Sequence, residues 1–176
     1  MENLLLNEVT YKVEETKLGK WRRYLWSNGE LFEEFKSHKK ILGMPFLHYT
    51  RGRNPETGKR IVAKGFIGIG RMASGFIAIG HAAWGIIAIG QMGLGLLFGL
   101  GQLSSGFLSI GQLSIGLFLG IGQFATGYIV VAQLGFGKYV LAQLGIGEYV
   151  WSPKRIDTEA VVFFKSWIFK ITGIEF

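Results

Sequence analysis

Cysteine is absent from the chain, which excludes disulfides, thiolate metal ligands and cysteine nucleophiles. Histidine is scarce: His38, His48 and His81 are scattered and lack acidic partners at ligand spacing, so no metal site is expected. Residues 72–137 contain no Asp, Glu, Lys or Arg. Catalysis needs converging acid, base or nucleophilic groups, and no such set is present, so neither an enzyme nor a cofactor is expected. The first residues, MENLLLNEV, carry three consecutive leucines between acidic residues, too few for the apolar core of a secretory signal. The expectation is a cytoplasmic protein, with membrane association as an alternative.

What is abundant is glycine, 27 of 176 residues, against roughly 7% in an average protein. From Gly65 to Trp151 the chain divides into seventeen units: GFIGI GRMAS GFIAI GHAAW GIIAI GQMGL GLLFGL GQLSS GFLSI GQLSI GLFLGI GQFAT GYIVV AQLGF GKYVL AQLGI GEYVW. Fifteen have five residues and two have six. Position one is Gly, or Ala at Ala132 and Ala142, and position three is large and apolar in every unit except at Ala82. A small and a bulky residue two apart share one side of a strand, so position three is expected inside. Units of this size cannot bury an apolar side alone, and they coil so that each turn covers the last.

A small residue, any residue, then Leu or Phe resembles the pentapeptide-repeat family. The resemblance covers about half the chain and implies an all-β fold, a four-sided β-solenoid with four units per turn. Here Gly replaces the family's frequent Ala, and Gln, in alternate units, replaces Asp or Asn at position two. The six-residue units start at Gly95 and Gly116, 21 residues apart, which places both extra residues on one face of a four-sided coil. A ten-residue, two-sided coil sorts polar from apolar units equally well. The whole chain also resembles a group of bacterial short-repeat proteins that join motifs like Gly43-Met44-Pro45-Phe46-Leu47-His48 and Asn54-Pro55-Glu56-Thr57-Gly58-Lys59 to runs like GFIAIG. That resemblance implies an architecture and no activity.

Three segments follow. Residues 1–64 are expected to form an N-terminal β-hairpin cap. One type I′ turn is placed at Asn28-Gly29, and a second hairpin turns at residues 54–58 between Phe46–Arg51 and Lys59–Ala63. Residues 65–151 form the repeat, and Ser152-Pro153 ends it. In residues 152–176 a helix from Asp157 to Lys170 presents Val161, Phe164, Trp167, Ile168 and Ile171 on one face, and is expected to cap the open end of the coil. Trp167 with Lys165 and Lys170 would also suit a membrane surface or a partner.

With four sides, position two places Phe66, Ile86, Phe107 and Tyr128 on one outward face, and Phe76, Leu96 and Leu117 on the opposite one. Soluble monomers rarely leave such stripes wet. The glutamines sort likewise, with Gln91, Gln112 and Gln133 under Arg71, and Gln102, Gln123 and Gln143 under His81, where stacked amides could form structural ladders. The fingerprints Gly68–Ala73 and Gly120–Ala125 match G-x-G-x-x-A but open no helix, and are by-products of the repeat. The net charge of +7 comes mostly from residues 1–64, where cations and anions are mixed, so nucleic acid is not expected. The expected function is a structural or protein-interaction module that forms homo-oligomers or docks on a larger assembly through apolar faces. The alternative is a membrane protein, with about three helical spans drawn from residues 72–137 or as a coil lying on the surface.

Overall fold

The computed structural model describes residues 9–173, without the side chains of residues 171 and 172. The expectation drawn from the first residues, and the place of Ile171 on the helix face, lie outside them. The protein is mostly β with one C-terminal helix, and it divides into two compact units, Met1–Leu94 and Gly95–Phe176.

In the first unit, β1 (Lys12–Glu15), β2 (Gly19–Leu25), β3 (Leu31–Ser37) and β6 (Leu47–Arg51) pair antiparallel in the order β1-β2-β3-β6. The turn from β2 to β3 is not type I′, which requires positive φ at two central residues. Gly29 has φ +82° but Asn28 does not, and its side chain instead accepts the Glu30 N–H at 2.9 Å. The positive-φ pair occurs at Leu42 and Gly43 (φ +51° and +78°), between the two-residue strands β4 (Lys40–Ile41) and β5 (Met44–Pro45).

Residues 54–58 do make a closed turn. The Asn54 N–H donates to the Lys59 carbonyl and the Gly58 N–H to that of Asn54, both at 2.8 Å. The strands around it are not a hairpin, however. β7 (Val62–Ile69) runs parallel to β6, with Leu47 opposite Ile67. Beyond the turn the chain crosses over and lays down the first parallel strand of the repeat.

The next element, β8, is an unbroken extended path from Met72 to Trp151. Ten extended residues would advance about 33 Å if straight. Yet Val62 pairs with Met72, and Ile69 with Ile79, in a parallel ladder with an offset of ten. Within the first unit, a methyl built on Gly75, Gly80, Gly85 or Gly90 would fall 1.9–2.0 Å from the carbonyl oxygen of the glycine ten residues before it. In the second unit the same collision recurs between Gly111 and Gly101, Gly137 and Gly127, and Gly147 and Gly137. It recurs at an offset of eleven, between Gly122 and Gly111, where the six-residue unit GLFLGI intervenes. In both units the path therefore returns on itself every two repeats, and the offset of twenty required by four sides is not found. Position one must be small because successive backbones nearly touch there.

Position three is not the core either. The buried column is position four: Ala73, Ala78, Ala83 and Ala88 in the first unit, and Ser104, Ser109, Ser114, Ala125, Val130, Val140 and Val150 in the second. Ser104 Oγ and Ser109 Oγ, five residues apart, meet at 2.7 Å, and Ser114 Oγ donates to the Ser109 carbonyl at 2.8 Å. Five residues thus reach the opposite wall. The space between the walls holds only small side chains, and the bulky residues at position three turn outward, where Met72, Met92, Leu113, Phe124 and Leu144 are exposed.

Helix α1 (Thr158–Thr172) closes the second unit. Asp157 stands at its N-cap, but its carboxylate makes no cap hydrogen bond. Oδ2 accepts the Val150 N–H at 2.7 Å and Arg155 binds the same carboxylate, which fastens the helix start to the last turn of β8. Ala160, Phe163, Phe164 and Trp167 pack on Leu119, Ile129, Tyr139 and Tyr149 together with Val131, Leu141 and Trp151. Those partners recur at the turn spacing, so the helix covers one wall of the repeat rather than its end. The three helical spans envisaged for residues 72–137 are replaced by strand, and among the described residues no helix is long and apolar enough to cross a membrane.

Candidate functional site

Ten-residue turns re-sort the outward residues. In the first unit Phe66 stacks on Phe76 with centroids 4.9 Å apart and planes within 7°. The two stand in one column and not on opposite faces, and Phe46 stacks on Phe66 at 6.0 Å. The ten-residue register adds Ile86 to that column. In the second unit Phe107, Phe118 and Tyr128 stack at 5.3 and 6.1 Å, with planes within 5°. Phe118, a position-three residue expected inside, stands between Phe107 and Tyr128. The extra residue of each six-residue unit is pushed outward: Gly95 lies against the Phe98 carbonyl and Gly116 against that of Leu119. Leu96 and Leu117 protrude at these bulges in β8, 70% and 74% exposed.

The polar residues at position two also share one edge within each unit. His81 Nδ1 lies 3.3 Å from Gln91 Oε1, ten residues on, so Gln91 follows His81 and is not separated from it by a face. In the second unit the same register aligns Gln102, Gln112, Gln123, Gln133 and Gln143. Among the described residues no glutamine hydrogen-bonds to another, so these alignments are not amide ladders. The second unit therefore has one wall under α1, a glutamine edge, an aromatic edge, and an open wall carrying Leu113, Ile115, Phe124, Leu144 and Ile146.

The first unit has two charged features. Glu34 is buried, and its carboxylate accepts from Arg22 Nε at 2.9 Å and a terminal Arg22 nitrogen, from Lys36 Nζ at 2.9 Å and from His48 Nε2 at 3.0 Å. Burial would push its carboxyl up, but hydrogen bonds from His48, Arg22 and Lys36 outweigh this and hold it well below the usual 4.5. The Lys64 N–H donates to His48 Nδ1 at 2.8 Å, so both ring nitrogens are engaged and the cluster joins β2, β3, β6 and β7. It stabilises the sheet and offers no free base. The burial of Glu34 had no sequence signal beyond its place in an alternating strand.

The second feature is a cleft lined by Arg51, Arg53, Arg60, Arg71 and His81, with Glu30 and Thr50. Gly52 creates it: at φ +81° its backbone lies against Leu31, with room for no side chain, and the arginines on either side flank the fold. The closed turn at 54–58 returns Arg60 beside Arg53. Gly70 lies against Thr50, where a methyl would be 2.5 Å from its Oγ1, and this brings Arg71 to the same place. No family model, curated protein or solved structure matches the chain.

Proposed function

We propose that the protein is a non-enzymatic β-solenoid, two-sided with ten-residue turns, that self-associates through its outward apolar columns. The observation that carries this reading is the inversion of size in the repeat: small residues fill the interior, while Phe107, Phe118, Tyr128 and the open wall of the second unit stand in solvent. Apolar surface on two adjoining sides exceeds what soluble monomers leave uncovered. Its columns repeat at the strand spacing, and the surface best matched to that spacing is another copy, whose rings and aliphatic rows interdigitate with it.

A membrane surface is the second reading. Its support is the absence of any charge from residues 72–137, which a lipid contact tolerates better than the rim of a protein interface does. Size-exclusion chromatography with light scattering, without detergent, separates the two. Self-association gives a defined multiple of 19.5 kDa, and the Phe107→Ser/Tyr128→Ser double variant shifts it toward monomer with an unchanged far-UV spectrum. A wild-type monomer would defeat the first reading, and recovery only in detergent would transfer the case to the second.

A further inference from the structure

The arginines of the first unit fall into two classes. Arg22 and Arg23 are consumed by the sheet, paired with Glu34, Glu14 and Glu33 and laid over Tyr11 and Trp21. Those of the cleft are different. Arg51 approaches Glu33 only at 4.0 Å, and Arg53, Arg60 and Arg71 have no ion-pair partner among the described residues. All four are exposed, and among the described residues Glu30 is the sole acid lining the cleft with them. Four like charges brought to one concavity repel one another, which costs stability unless an anion is present. Three separate backbone devices, the Gly52 fold, the 54–58 turn and the Gly70–Thr50 contact, nevertheless put them there.

We infer that this cleft binds a phosphate group. The planar guanidinium fork matches phosphate oxygens two at a time, His81 at the rim adds a further donor, and Thr50 lies beneath. The groups come from separate stretches of chain, Thr50 to Arg53, Arg60, Arg71 and His81, so the site exists only in the folded first unit. The phosphate can be free or carried by a lipid headgroup, since Met72, next to Arg71 in the chain, and Ile79, in the cleft lining, are exposed.

The full chain is titrated with inorganic phosphate against chloride at equal ionic strength, and is sedimented with vesicles of phosphatidylcholine alone or with phosphatidylglycerol. The same is done for Arg53→Gln/Arg60→Gln/Arg71→Gln and, should that variant misfold, for Arg60→Gln alone. The expected result is phosphate binding weakened about tenfold or more in the triple variant, with an unchanged far-UV spectrum. Arginine-dependent sedimentation with phosphatidylglycerol vesicles, reversed by inorganic phosphate, identifies a headgroup as the source. Arginine-dependent phosphate binding without vesicle sedimentation identifies a free phosphate. If neither probe binds, or if binding survives the arginine variants, the inference is wrong.

Discussion

The antiparallel sheet of the first unit and the repeat solve the same problem in opposite ways. In the sheet, the bulky Phe32 and Phe35 are buried on opposite faces of β3, against Tyr11 and Trp21 respectively, and Glu34 is the charge buried among them. In the repeat, alanine, serine, glycine and valine fill the inside while phenylalanine, leucine and methionine face outward. The difference is depth. A sheet layered against other chain leaves about 10 Å for side chains, whereas walls joined by five-residue spans let two serine hydroxyls touch at 2.7 Å. Hydrophobicity alone does not say which way a side chain points; the space behind the backbone does.

The sharpest way to break that contrast is to put bulk where the turns meet. Gly85→Val sets a side chain against the Gly75 carbonyl, where even a methyl would lie at 1.9 Å, and should cost about 4 kcal/mol in urea unfolding. A cost below about 1 kcal/mol would mean that the turns can spread. In the sheet, the comparable weak point is a charge and not a void. Glu34→Gln removes the negative charge and turns one of the two acceptor oxygens facing Arg22, Lys36 and His48 into a donor, and should cost about 3 kcal/mol. Because the folded carboxyl titrates below its usual value, its contribution is complete above pH ~4.5 and fades as the pH falls below that. Thermal melts of wild type and variant should accordingly converge at acid pH. The smallest effect lies at Leu42, 83% exposed with positive φ. Leu42→Asn relieves the left-handed conformation and should stabilise by about 1 kcal/mol, read as a higher urea midpoint.

Much of the local structure was legible in the sequence, because it depends on neighbours: the units, the extended backbone, the closed turn at 54–58 and the helix beginning after Asp157. What was not legible depends on partners distant in sequence. Position three reads as the core because it is bulky, yet the more telling signal is position four, which never exceeds valine in the five-residue units. A position restricted in size marks a tight interior better than a position rich in apolar residues. Offsets of ten and twenty sort units alike by polarity, and the steric fit of Gly75 on Gly65 decides between them. The strand after residue 58 turned out parallel because its partner is chosen by the coil, not by the turn. In the candidate sites, Phe66 and Phe76 share one column with that register, and the arginine cleft comes from three contacts spread over forty residues of chain, from Leu31 to Gly70.

The ten-residue return also has a genetic consequence. Duplicating or deleting ten codons at a position-one glycine restores the same sequence of chemistries along each wall and edge, whereas five codons would exchange the glutamine edge for the aromatic one beyond that point. The protruding Leu96 and Leu117 show that a single added residue is absorbed by a bulge turned outward, away from the packed side. Length in this chain can therefore drift, but in steps of two units.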